Sequence, residues 1–142
     1  MKKILLVACL MLSMSACSIF SSSTSTAEGD VADSAAIGRY WDFDDVLVPS
    51  TMKLEKDKSM IFNSDGYKGG LLVFNDNVEL NSLVNFFMIS MTKDNWLHKA
   101  SFKYPNVAMF FAKQDRTCII QISESSFSTT VSIWVAPTVA KP

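Results

Sequence analysis

Between residues 59 and 135 the apolar side chains recur at every second position, with one interruption. In "NVELNSLVNFFMISMTKDNW" the residues Leu80, Leu83, Val84, Phe87, Met88 and Met91 stand at i, i+3, i+4, i+7, i+8 and i+11, which is a stripe along one side of an amphipathic helix. Around it the period is two. Residues 59–63, "GGLLVFN" (69–75), "LHKASFK" (97–103), "VAMFFAK" (107–113), "TCIIQIS" (117–123) and "TTVSIWV" (129–135) read as strands, most of them rich in β-branched and aromatic types. The first two are joined through "SDGYKG", and the last four are separated by "YPN", "QDR" and "ESSFS", which suit tight antiparallel connections. The order β-β-α-β-β-β-β predicts an α+β fold, an antiparallel sheet of five to six strands with one amphipathic helix packed on one face. Asp76, with Glu79 three residues later, offers a cap for the helix start, and Asn95 a left-handed stop at its end.

A single helix covers one face of a sheet, so the parity of each strand matters. Cys118, Ile120, Ile122, Val131, Ile133 and Val135 form the apolar alternating sets of the last two strands and belong under the helix, with Ile119, Gln121, Ser132 and Trp134 opposite them. Ile119, Trp134 and Phe110 are therefore a candidate contact patch. The competing reading, slightly preferred on sequence alone, is that the segment "RYWDFDDVLVP" folds back over these residues as a small second core.

Several of these segments resemble a group of small, uncharacterised bacterial envelope lipoproteins. The resemblance covers residues 45–137 and rests on Asp45-Val46-Leu47-Val48-Pro49, Gly70-Leu71-Leu72-Val73-Phe74, Phe86-Phe87 with Met91 and Trp96, Met109-Phe110-Phe111-Ala112-Lys113, and Cys118. Asn95 and Asp76 stand where the group's pattern leads one to expect Gly, and both residue types tolerate a Gly-like backbone. The group implies no known activity. The layout is also similar to the helix-grip domains of outer-membrane assembly lipoproteins, an analogy of architecture only.

The N-terminus carries the other informative feature. Lys2 and Lys3 precede the apolar run from Ile4 to Leu12, followed by Ser13, Ser15 and Ala16, the layout of a secretory signal. The run is too short to span a bilayer core, which needs roughly 20 residues. Met14-Ser15-Ala16-Cys17 resembles a lipoprotein signal box, and so does Leu6-Val7-Ala8-Cys9. Cleavage before Cys9 would leave only Ile4 to Ala8 as the apolar region, below the length that export requires. Cys17 is therefore the expected lipidation site, at the end of a signal peptide spanning residues 1–16. The alternative is an ordinary signal cut near Ala16, with Cys17 a stray thiol.

Residues 18–38 hold six Ser, two Thr and three acids without a Lys or Arg, and such a composition buries too little apolar area to offset its ordering entropy. With Cys17 they form a tether holding the folded part roughly 25 Å from the lipid, ahead of one domain at 39–137 and a tail at 138–142. Ser18 behind the cysteine resembles outer-membrane sorting. Once residues 1–16 are removed, 126 residues remain with 11 Lys and Arg against 14 Asp and Glu. Nucleic acid, which requires a clustered basic face, is not an expected partner. Only Cys118 would then remain as a thiol, so no internal disulfide is expected.

Nothing in the sequence points to catalysis or a cofactor. The one histidine, His98, begins a strand beside Lys99, and no GxSxG, HExxH, P-loop or Cys-x-x-Cys is present. Asp42, Asp44 and Asp45 are an acidic group, but an EF-hand loop starting there would need Gly and Glu where Leu47 and Lys53 stand, so no metal is expected. Cys118 shares its parity with Ile120 and Ile122 and reads as a small buried hydrophobe. The expectation is a monomeric, lipid-anchored, non-catalytic protein of the cell envelope, on the outer membrane facing the periplasm, that contacts another envelope protein or the cell wall. A carrier of small ligands or lipids is the alternative; its cavity would lie between helix and sheet. A periplasmic hydrolase is a third reading, disfavoured by the lack of an acid–base constellation.

Cys17→Ser should abolish labelling by a fatty-acid analogue and release the protein from membranes, whereas Cys9→Ser should leave both intact. Release by Cys9→Ser instead would reverse the assignment.

Overall fold

A computed structural model describes residues 37–64 and 66–138. The signal segment, Cys9, Cys17, the tether up to residue 36 and residues 139–142 lie outside the described residues. In chain order the elements are β1 (Gly38–Tyr40), β2 (Leu47–Pro49), β3 (Lys53–Leu54), β4 (Met60–Ser64), β5 (Tyr67–Asp76), α1 (Leu80–Lys93), β6 (Leu97–Phe102), β7 (Val107–Ala112), β8 (Arg116–Glu124) and β9 (Thr129–Pro137), with a 3₁₀ turn at Lys56–Lys58. The predicted strands and helix are all present, and three short strands precede them.

The main sheet has the order β3-β5-β9-β8-β7-β6, with β4 also paired to β5, and every pairing is antiparallel. Helix α1 carries the chain from β5 to the far edge strand β6, and the meander β6 to β9 returns to pair with β5. Ser64 stands opposite Tyr67, the register that a two-residue hairpin link requires. Gly70 makes that pairing possible. Its φ is 149°, and a Cβ there would run into the carbonyl oxygen of Met60.

The helix starts one turn-position later than Asp76 would allow. Glu79 is the N-cap, its carboxylate accepting hydrogen bonds from the backbone N–H groups of Asn81 at 2.8 Å and Ser82 at 2.7 Å. Those two bonds hold the Glu79 carboxyl below its ordinary range. Asp76 instead ends β5, and its side chain accepts from the N–H of Asn77. The other end follows the sequence. Asn95 adopts φ 63°, the Trp96 N–H donates to the Met91 carbonyl at 2.9 Å and the Asn95 N–H to Thr92 at 3.1 Å, which is a Schellman stop.

One core lies between the sheet and the helix. Leu83, Phe87 and Met91 from α1 meet Leu72, Phe74, Met109, Phe111, Cys118, Ile120, Ile122, Val131, Ile133 and Val135. The segment "RYWDFDDVLVP" joins this same core and does not cover the opposite face. Phe43, Val46 and Val48 are buried in the helix-side cluster, and Trp41 stands edge-on to Phe74 with ring centroids 5.5 Å apart. Two physical reasons correct the preferred expectation. A helix of this length spans about 21 Å, too little to cover a six-strand layer about 24 Å wide along its full strand length, so helix-side area remains to be covered. The segment is also fixed there by charge. The Lys113 ammonium and the Arg116 guanidinium, the latter at 2.6 Å, both donate to Asp45 Oδ2, and Trp96 Nε1 donates to the Asp45 carbonyl at 2.7 Å.

Truncating Phe87 or Trp96 to Ala should cost about 3 to 5 kcal/mol through the cavity left behind. Asp45→Ala leaves two cations without their shared acceptor and should cost about 2 to 3 kcal/mol. Denaturant midpoints measure both, and an unchanged midpoint for Asp45→Ala would mean that the cations hold nothing in place.

Candidate contact surface

Each strand of the main sheet that alternates into the core alternates away from it as well, and the registers align the outward residues into rows. Ala100 lies opposite Phe110, Phe110 opposite Ile119, Ile119 opposite Trp134, Trp134 opposite Leu71, and Leu71 opposite Met60. This is a continuous apolar row across β6, β7, β8, β9, β5 and β4, and the three residues singled out from sequence, Phe110, Ile119 and Trp134, are consecutive members of it. A parallel row of small residues, Ala112, Thr117, Ala136 and Gly69, runs beside it and ends at Phe62. On the other side lie Phe102, Ala108, Gln121, Ser132 and Val73.

The face is open among the described residues. Trp134 is 46% exposed, and Met60, Phe62 and Phe102 are exposed with it. Phe110 and Ile119 are half-buried by their row neighbours, Phe102 meeting Phe110 edge-on at 5.5 Å and Phe62 lying 5.7 Å from Tyr67. Val73 and Gly69 are the buried exceptions, Val73 lying beside the corner where the 3₁₀ turn abuts β5. The outward positions of β4, β5, β7, β8 and β9 carry no charged side chain; their polar members are Ser64, Tyr67, Asn75, Thr117, Gln121, Ser123, Thr130 and Ser132. Lys53 of β3, opposite Asn75, brings a charge to the margin of the face. Soluble antiparallel sheets with one solvated face ordinarily make it polar, so an apolar, aromatic-bearing row with charge only at the edge is a candidate contact site.

Met60, Phe62, Leu71 and Phe102 were not singled out from sequence. The Asp-Gly pair in the sequence signals a two-residue hairpin link, and the register that sets Ser64 opposite Tyr67 also sets Met60 opposite Leu71, so half of this extension was readable. The pairing of β5 with β9, which sets Leu71 beside Trp134, joins segments far apart in the chain and leaves no local mark.

The remaining chemical groups have other occupations. His98 is exposed, with Nε2 2.7 Å from the Ser101 hydroxyl. Cys118 is fully buried, and desolvation, reinforced by the Asp45 charge and opposed by Arg116, pushes its thiol far above the ordinary range, so it is held as an unreactive thiol. The acidic group is dispersed. Asp45 holds Lys113 and Arg116, while Asp42 faces Lys68 at 3.7 Å, and no cluster of three His, Cys, Asp or Glu fit for a metal exists among the described residues. A cavity of about 340 Å³ opens at the helix start, between Leu80, Val84 and Val107 and the turn bearing Lys103 and Tyr104. No protein-family model, curated protein or solved structure matches the chain.

One residue from each side of the sheet, Ile120 of β8 and Trp134 of β9, provides a direct test of the two faces. Ile120→Ala, on the core side, should cost about 2 to 5 kcal/mol, whereas Trp134→Ala on the open side should cost about 0.5 to 1 kcal/mol. Equal losses in denaturant midpoint would show that the outer face is covered in the folded protein.

Proposed function

We propose that this is a non-catalytic accessory protein of the bacterial cell envelope, anchored by lipid on Cys17 to the outer membrane facing the periplasm, which works by binding another protein through the outer face of its sheet. The observation that carries the reading is the apolar row from Met60 to Ala100 on a face where the five inner strands carry no charge, the lysines Lys53 of β3 and Lys99 of β6 standing at its margins. Charged residues are depleted and aromatic residues enriched at the centres of protein interfaces, and Trp134 stands in the middle of the row as an anchor of the type that dominates binding energy. The anchor itself rests on the sequence around Cys17. The non-catalytic part is supported by a histidine bonded to a serine and a cysteine held as a buried thiol.

A photo-crosslinking side chain at position 134 in the full-length protein, in intact cells, should yield an adduct of raised mass in the membrane fraction. The same group at position 89, where Ile89 is 70% exposed on the outside of the helix, should yield none. Equal yields at both positions, or none at 134, would remove the contact-surface reading.

A further inference from the structure

The make-up of the open face identifies its occupant. We propose that the partner is a second copy of this chain, the two sheets packing face to face about a two-fold axis; this rests on the face being a contact surface.

In a two-fold interface each surface meets itself, so every group near the axis must be able to pair with its own kind. A carboxylate only accepts hydrogen bonds and an ammonium only donates them, so either would oppose its own copy. Hydroxyls and amides do both. The polar residues of β8 and β9 on this face are Thr117, Gln121, Ser123, Thr130 and Ser132, every one a hydroxyl or an amide. A face built for a different partner gains from carrying charge that the partner complements, and this one has none on its five inner strands, with Lys53 of β3 and Lys99 of β6 only at its margins. A membrane surface fits poorly for the same reason, because interfacial protein surfaces attract anionic lipid through Lys and Arg.

The dimensions suffice. Six strands spaced about 4.8 Å apart and four outward rows about 6.6 Å apart, the fourth being Ser123, Thr130 and Asn75 with Lys53 at its end, give roughly 500 Å² of plane per copy. Two copies then bury on the order of 1,000 Å² or more, the size at which a specific interface becomes stable. Pairing through the sheet edges is obstructed, since β6 is broken by a register shift between His98 and Ala100 with Lys99 at the break, and the other edge is divided between β3 and β4. Bulges, lysines and short strands are what keep edges from pairing. This departs from the monomer expected from the sequence, which does not show how outward residues of separate strands line up.

The test uses the full-length lipidated protein in native membranes. The variants Thr117→Cys, Gln121→Cys and Ser132→Cys are treated with a bifunctional maleimide, with Ser82→Cys on the helix as control. A product of twice the chain mass is expected from the face positions and not from the control, with co-recovery of two differently tagged copies. Adding Trp134→Glu should lower that product by about tenfold or more while the unfolding midpoint stays close to that of the parent. A face adduct of any other mass would overturn the second-copy proposal and leave the contact-surface reading standing. The absence of an adduct from every face position would overturn both.

Discussion

The architecture depends on how one helix and one N-terminal strap divide a sheet that has two faces. Six strands present more apolar side-chain area on the core side than fourteen helical residues can cover. The strap from Trp41 to Met52 fills the remainder, so Phe43, Val46, Val48 and Met52 belong to the same cluster as Phe87 and Ile120. Once both covering elements are on one side, nothing among the described residues is left for the other. The open face is a consequence of that allocation.

Asp45 fixes the allocation. Its carboxylate accepts from both Lys113 and Arg116, while its backbone carbonyl accepts from Trp96 Nε1, so the strap is tied at once to the end of β7, the start of β8 and the residue after the helix. The two cations also lie over the Trp96 ring, at 4.8 Å for Lys113 and 5.5 Å for Arg116, adding a cation–π attraction. Burying charge is costly unless it is paired, and here two cations share one carboxylate. The other carboxylate oxygen, Oδ1, and Arg116 Nε are buried without a protein partner. The cluster therefore acts as a selector of where the strap sits more than as a source of net stability. Tyr40 donates to Asp94 at 3.1 Å and gives the strap a second tie near the helix end.

The same geometry separates the groups that hold the fold from those free to contact a partner. Cys118, Asp45 and Trp96 are buried or paired in the helix-side layer, and the Glu79 carboxylate is engaged at the helix start. The outward rows of β4, β5, β7, β8 and β9 contain neutral side chains, several of them partly or largely exposed. An aromatic of Trp134's size held half in water leaves much of its apolar surface unburied within one chain.

Periodicity and local backbone chemistry determined the α+β class, the presence and buried stripe of α1, the Asn95 stop and the division of Cys118, Ile120 and Ile122 from Ile119 and Gln121, because these depend on spacing within one segment and on the residue at its end. They could not place the strap. Trp41, Phe43, Val46 and Val48 follow no single period, and either face of the sheet would bury them; the choice was made by Asp45 meeting Lys113 and Arg116, residues about seventy positions away. Nor could they choose Glu79 over Asp76 as the cap, since both are acids near the helix start and only the length of β5 decides which one reaches the free N–H groups. The row from Met60 to Ala100 is likewise tertiary. Each strand's sequence states which residues point outward, but β5 pairs with β9 across more than fifty residues, and only that long-range register brings Leu71, Trp134, Ile119 and Phe110 side by side.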